Sequence, residues 1–305
     1  MANTNRRALL AQAALLLCGI LWGSGFVVMK NSLDSLPITW LLALRFLIAA
    51  IALCAVLYKK IIHAGRTALI GGAICGTLMY VAYLVQTIGL KYTTAGNNAF
   101  LTAVYVVLVP FLCWIVNKKR PALREVAAGI LCLAGVGFIA LTARFTVNIG
   151  DAVTILCGVL YAMHIVCVSY FTERGVDVLL LTALQFAATA LAALPVALVF
   201  EPFPSAATLC VPATYLSLLY LGFGCTLLAL VLQNIGIRYA PPAHASLLMS
   251  TEALFGALFG VLFLQEPVSV RFGVGAALII GSIVISQTGQ HARSQSACAA
   301  VSEGR

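Results

Sequence analysis

Ten apolar runs, each about as long as one membrane crossing, follow one another along the chain, at roughly 9–29, 37–58, 68–90, 95–116, 123–142, 149–170, 178–200, 212–236, 241–264 and 270–288. The hydrocarbon core of a bilayer is about 30 Å thick and takes about 20 apolar residues per helix, so ten helices use about 200 residues. In a chain of 305 residues that leaves only short connections. Charged residues make up 9% of the sequence and apolar ones 62%. A soluble domain carries about 25% charge, and so few charges cannot cover a water-exposed surface. Breakers and charges separate the runs: Asn31 to Asp34, Lys59-Lys60, Lys118 to Pro121, Arg174-Gly175 and Glu201 to Pro204. The expected fold is an all-α integral membrane protein of ten transmembrane helices with no sizeable soluble domain.

The net charge of +9 does not point to nucleic acid, because the basic residues sit between apolar runs and form no basic face. Most of the ten cysteines lie inside apolar runs and no CxxC pair occurs, which reads as reduced, packed thiols. The first run, after Arg6 and Arg7, is too long for a signal-peptide core and is expected to be a retained helix. Residues 289–305 are small and polar and are expected to form a disordered cytoplasmic tail. With the N-terminus inside, thirteen Lys and Arg fall on inner segments and four (Lys30, Lys91, Arg144, Arg271) on outer ones. The positive-inside rule then places both termini in the cytoplasm, in a bacterial-type inner membrane.

The two halves repeat. Gln86 to Tyr92 (QTIGLKY) matches Gln233 to Tyr239 (QNIGIRY) at an offset of 147, and Leu44-Arg-Phe46 matches Leu184-Gln-Phe186 at 140. Cys18-Gly19 with Trp22 matches Cys157-Gly158 with Tyr161 at 139, and Gly129 and Gly135 match Gly275 and Gly281 at 146. Five helices per half is odd, so the second copy enters the membrane from the opposite side. The reading is a pair of inverted five-helix repeats, residues 1–145 and 146–288, the architecture in which solute sites lie near the midplane between halves. Alternating access by a secondary transporter uses such a pair directly.

Three segments carry a resemblance: Leu21-Trp-Gly-Ser-Gly-Phe26, Leu44-Arg-Phe-Leu-Ile-Ala-Ala50, and the apolar stretch from Thr251 to Pro267 with one acid inside it and another at its end. They resemble the EamA family of the drug/metabolite transporter superfamily, over roughly residues 9–288. The resemblance implies ten helices, cytoplasmic termini, and export of an amino acid or another small metabolite. The chain departs from the family pattern in carrying Lys118 to Arg120 at the end of the fourth helix and Ala253 after Glu252.

Ionisable groups inside a bilayer are costly and mark functional candidates. Arg45, His164 and Glu252 lie well inside; His244 lies near a helix end. Glu252 is about 16 Å into its helix at 1.5 Å per residue. It reads as a cavity acid that binds a cation or a proton, or as a buried acid hydrogen-bonded to a neighbour. At an offset of 147 Glu252 corresponds to Tyr105, and His244 to Asn97, two polar faces that suit a central lining or interhelical bonds. Arg45 could hold a carboxylate with its planar fork, or snorkel or bond backbone carbonyls. His164 reads as a relay, a solute contact or a packed histidine. Tyr80, Tyr83 and Gln86 share one side of the third helix; Gln233 is the mate of Gln86, and Trp22 of Tyr161. Aromatics beside a cavity suit a solute with an apolar body, and an interfacial aromatic belt is the other reading.

No metalloprotease, nucleophile-elbow, P-loop or dinucleotide motif is present, so neither an enzyme activity nor a cofactor is expected. The expected partners are a small-molecule solute and membrane lipid, with no nucleic acid and with the oligomeric state open. A membrane-embedded lipid-modifying enzyme and a non-transporting scaffold are the competing readings.

Overall fold

A computed structural model describes the backbone of residues 2–93, 95–118, 120–140, 149–264 and 270–303, and side chains over 6–93, 98–116, 118, 120–139, 149–259, 261–262 and 270–286. Among these residues the chain is all-helical. In order run α1 (Ala2–Ser32), α2 (Ile38–Ile62), α3 (Arg66–Tyr92), α4 (Ala95–Thr102), α5 (Tyr105–Asn117), α6 (Leu123–Ala140), α7 (Ile149–Glu173) and α8 (Val178–Phe200). The short α9 (Ala206–Cys210) follows, then α10 (Pro212–Leu219), a π-helical segment (Tyr220–Leu228) and α11 (Ala229–Tyr239). The chain ends with α12 (Pro242–Met249), α13 (Thr251–Leu264) and α14 (Val270–Glu303), the last of which runs on through the segment expected to be an irregular tail.

Seven helical spans among the described residues are long and apolar enough to cross a membrane: Arg6–Ser32, Ile38–Ile62, Arg66–Tyr92, Asn98–Val116, Ile149–Glu173, Val178–Phe200 and Pro212–Tyr239. Helices satisfy every backbone group internally, which a lipid environment demands. Large apolar side chains such as Val56, Leu191, Leu198 and Phe200 point outward, where lipid receives them at no hydrophobic cost.

Local chemistry sets the helix ends. Asp177 caps α8 by accepting from the N–H groups of Leu179 and Leu180. Pro212 and Pro242 open α10 and α12, where their missing N–H costs nothing. Gly175, at φ +86° between α7 and α8, takes a left-handed conformation that a side chain would resist.

With lipid outside, the hydrophobic effect gives helices little reason to associate, so close packing by small residues does that work. Gly135 of α6 packs on the backbone of Gly275 and on Ile279 of α14, while Gly275 packs on Ile139. The two contacts run in opposite chain directions, so α6 and α14 are antiparallel. α2 and α8 are antiparallel as well, joined by Thr39 to Glu201 at one end and by Cys54 Sγ to the Ala183 carbonyl at the other. α3 lies against α7 and α1 against α11. In contrast, α1 and α3 end together, because Lys30 Nζ donates to the carbonyls of Leu90 (2.6 Å) and Thr93 (3.2 Å). α7 and α11 also end together, with Arg238 donating to the carbonyls of Thr172 (3.0 Å) and Val176 (3.4 Å).

Candidate functional site

The helices surround an internal cavity with about 530 Å³ of unfilled space, its opening included. Eight of the twelve residues singled out from sequence line it: Trp22, Arg45, Tyr83, Gln86, Tyr105, Tyr161, Gln233 and Glu252. They come from α1, α2, α3, α5, α7, α11 and α13, so no single element makes the site.

Arg45 is 2% exposed and holds the widest set of contacts. Its Nε donates to Thr226 Oγ1 at 2.8 Å and its Nη1 meets Met29 Sδ at 3.4 Å. The guanidinium carbon lies 4.9 Å from the Tyr83 ring centre and 5.7 Å from that of Phe46. Thus aromatic faces hold the cation, and the ion pair found among the described residues, Lys60 with Asp177, lies elsewhere. Tyr83 stacks edge-on to Tyr161 at 5.5 Å, and Tyr161 Oη donates to Gln86 Oε1 at 3.1 Å. Trp22 Nε1 donates to the Cys225 carbonyl at 3.0 Å, inside the π-helical segment. π-helical turns are rare and recur at functional sites.

Glu252 is 4% exposed and accepts no hydrogen bond from a described residue. It stands in the first turn of α13, just past a break in helical winding at Ser250. Tyr105 likewise opens α5, just past the break that ends α4 at Thr102. Gly19 and Gly23 of α1 bring that helix onto the backbone of Glu252. Gln233, 1% exposed, leaves its Oε1 without a partner.

Three expected lining residues lie elsewhere. Tyr80 packs with Trp40, Ala193 and Ala197. Steps of three residues turn a helix back by about 60° each, which carries Tyr80 about 120° round from Gln86. For the same reason His164 points away from the Tyr161 face and meets Gln185 Oε1 at 3.2 Å, while Ile165, a full turn from Tyr161, lines the cavity. His244 bonds Ser286 of α14 at 3.1 Å, since eight residues and the break at Ser250 separate its direction from that of Glu252. The side chain of Asn97 lies outside the described residues.

Phe26, Met29, Thr102, Ile165, Leu221, Cys225 and Met249 also line the cavity, with Gly25. A signal for several was present. Thr102 and Met249 stand three residues before Tyr105 and Glu252, and Phe26 and Met29 continue the helical stripe from Trp22. Five lining pairs share the offsets seen in the sequence: Gln86 with Gln233, Thr102 with Met249 and Tyr105 with Glu252 at 147, and Trp22 with Tyr161 and Phe26 with Ile165 at 139.

The sequence profile of the EamA-like transporter family matches twice, over residues 9–141 and 148–288. The chain belongs to the EamA-like transporter family. An Archaeoglobus fulgidus protein described as an uncharacterized transporter is 32% identical over 279 residues, covering 92% of this chain and 86% of its own length. Protein PecM of Dickeya dadantii is 26% identical over 219 residues, 70% of this chain and 72% of its own. A protein crystal structure shares the fold, with a TM-score of 0.74 and 19% identity over 90% of this chain and 96% of the other. The protein is a membrane transporter.

Proposed function

We propose that this transporter crosses the membrane ten times as two inverted five-helix repeats. In this reading it moves an amino acid or a related small zwitterionic metabolite out of the cell by alternating access. The observation that carries it is one interior cavity faced by both Arg45 and Glu252. A carboxylate on Arg45 and an ammonium on Glu252 would complete two buried charges that the protein leaves open. Aromatic and aliphatic walls would take the apolar body of the solute.

Several features support the repeat. The family profile matches each half. The helix breaks before Tyr105 and Glu252 fall at matching positions, and discontinuous helices are the usual makers of midplane solute sites. Helices α6 and α14, and α2 and α8, pack antiparallel as mates inverted in the membrane. The ten crossings are the seven long spans together with α6, the α12–α13 pair and α14. Both termini lie in the cytoplasm of a cell with a bacterial-type inner membrane, on the positive-inside argument.

The test is counterflow in liposomes. Purified protein is reconstituted, the vesicles are loaded with one amino acid at a time, and uptake of the labelled form is followed. At least one zwitterion should accumulate, and Arg45→Ala should raise its half-saturation about tenfold or more, as loss of a charged hydrogen bond does. Accumulation of amines or neutral solutes with no response to any zwitterion would overturn the assignment of substrate class.

A further inference from the structure

The cavity is lopsided. Five pairs of repeat mates line it, but Gly25, Met29, Arg45, Tyr83, Leu221 and Cys225 do so without their mates. At the offsets of those segments, Gly25 corresponds to His164 and Arg45 to Gln185. His164 and Gln185 are hydrogen-bonded to each other, 1% and 0% exposed, and neither lines the cavity. Asn234, next in the chain to the cavity residue Gln233, bonds Thr182 at 3.0 Å, one turn along α8 from Gln185. Together these four residues make a buried polar column between α7, α8 and α11.

The column is not satisfied. His164 Nδ1, Gln185 Nε2 and Asn234 Oδ1 are all buried without partners. Buried polar groups in a finished core find partners, and three orphans in one place call for an explanation. One turn below Asn234, Arg238 holds the end of α11 to the end of α7 through two carbonyls. Lys30 makes the corresponding tie between α1 and α3 at the opposite end.

We infer that His164, Gln185 and Asn234 line a second vestibule, closed in this structure, through which the solute passes on the Arg238 side. It is the repeat counterpart of the half-cavity around Arg45. Its orphan donors and acceptors face water and solute once α7 and α11 part, and Arg238 is the latch that keeps them together. The counterpart of the Arg45 guanidinium is the neutral Gln185, so a solute carboxylate meets a fixed cation on one side only. This inference rests on the alternating-access reading above.

Hydrogen–deuterium exchange tests it on the full chain in lipid nanodiscs, with no solute required, so its result is independent of the counterflow assay. In Arg238→Ala, segments 168–176 and 231–239 should take up deuterium about fivefold faster. Segments 22–30 and 86–93 should become slower, because opening one side closes the other. A double variant, His164→Leu with Gln185→Leu, seals the column with apolar contacts and should slow uptake at 168–176 and 231–239. Reciprocal change in Arg238→Ala together with slower uptake at 168–176 and 231–239 in the double variant supports the vestibule, and unchanged exchange in Arg238→Ala overturns it. Faster exchange on both sides in Arg238→Ala, or unchanged exchange in the double variant, makes the column a static packing element and overturns the proposal.

Discussion

Glu252 and Arg45 both face the cavity while almost fully buried. Arg45 spends its cation on two rings, a hydroxyl and a thioether. These contacts steady it without neutralising it, so it can still take an anion. Glu252 has a helix N-terminus beside it and open space before it. In the proposed alternating-access cycle, a carboxyl placed this way would exchange a proton for a cationic group of the solute. Glu252→Gln keeps the shape and removes the titration. The expected result is a folded protein whose counterflow has lost its dependence on pH and whose half-saturation rises tenfold or more, for about 1.5–3 kcal/mol of lost charged hydrogen bonding. Unchanged flux with an unchanged pH profile would make Glu252 structural.

At the scale of helices, glycine contacts and caps carry the stability. A methyl group on Gly135 would lie 2.8 Å from the Gly275 carbonyl oxygen, and one on Gly275 would lie 2.6 Å from the Gly135 carbonyl. Both neighbours are backbone and cannot swing aside. Gly135→Ala should cost about 1–3 kcal/mol, as overpacking does. Gly275→Ala should cost a similar amount, and the double variant less than the sum, because one separation of α6 from α14 relieves both clashes. Thermal unfolding in detergent measures this, and additive losses would argue against a shared contact.

Asp177 ties α8 to its neighbours at the other kind of boundary, outside the spans. Partial burial alone would raise its carboxyl, but the N–H of Leu180, the Lys60 ammonium at 3.0 Å and the N–H of Leu179 outweigh it, and the group titrates below its ordinary value. A carboxyl lowered in the folded state stabilises at pH above its ordinary value, and that contribution is lost as pH falls through the lowered one. Both partners of the ion pair are half-exposed, so most of the effect comes from the cap. Asp177→Ala should therefore cost about 1 kcal/mol at pH 7, and the difference from the unaltered protein should vanish in acid. A difference that persists below the lowered value would place the loss in packing instead.

For the whole molecule, orientation is the property on which the inverted reading depends. Fusions after Gln290 separate the alternatives: a fluorescent protein there should glow and a phosphatase there should stay inactive, because both termini are expected inside. An active phosphatase at that point would overturn the cytoplasmic placement of the C-terminus.

Apolar length and scarcity of charge were enough to specify helices in a membrane, since in lipid every backbone group must be satisfied within its own segment. The matching of Gln86 to Tyr92 with Gln233 to Tyr239 was also legible, because it depends only on position along the chain. Direction around each helix was another matter. Tyr80, His164 and His244 lie at helical spacing from true cavity residues, yet each is turned by part of a revolution toward a different neighbour. Sequence periodicity carries the angle between side chains but not the bearing of the helix, nor the breaks at Thr102 and Ser250 that reset it. The partners were beyond local reading too: Arg45 meets Thr226 at a separation of 181 residues, and Trp22 meets Cys225 at 203. Those contacts exist only after the two halves have packed, because short-range rules act over one or two turns while the cavity forms where many helices meet.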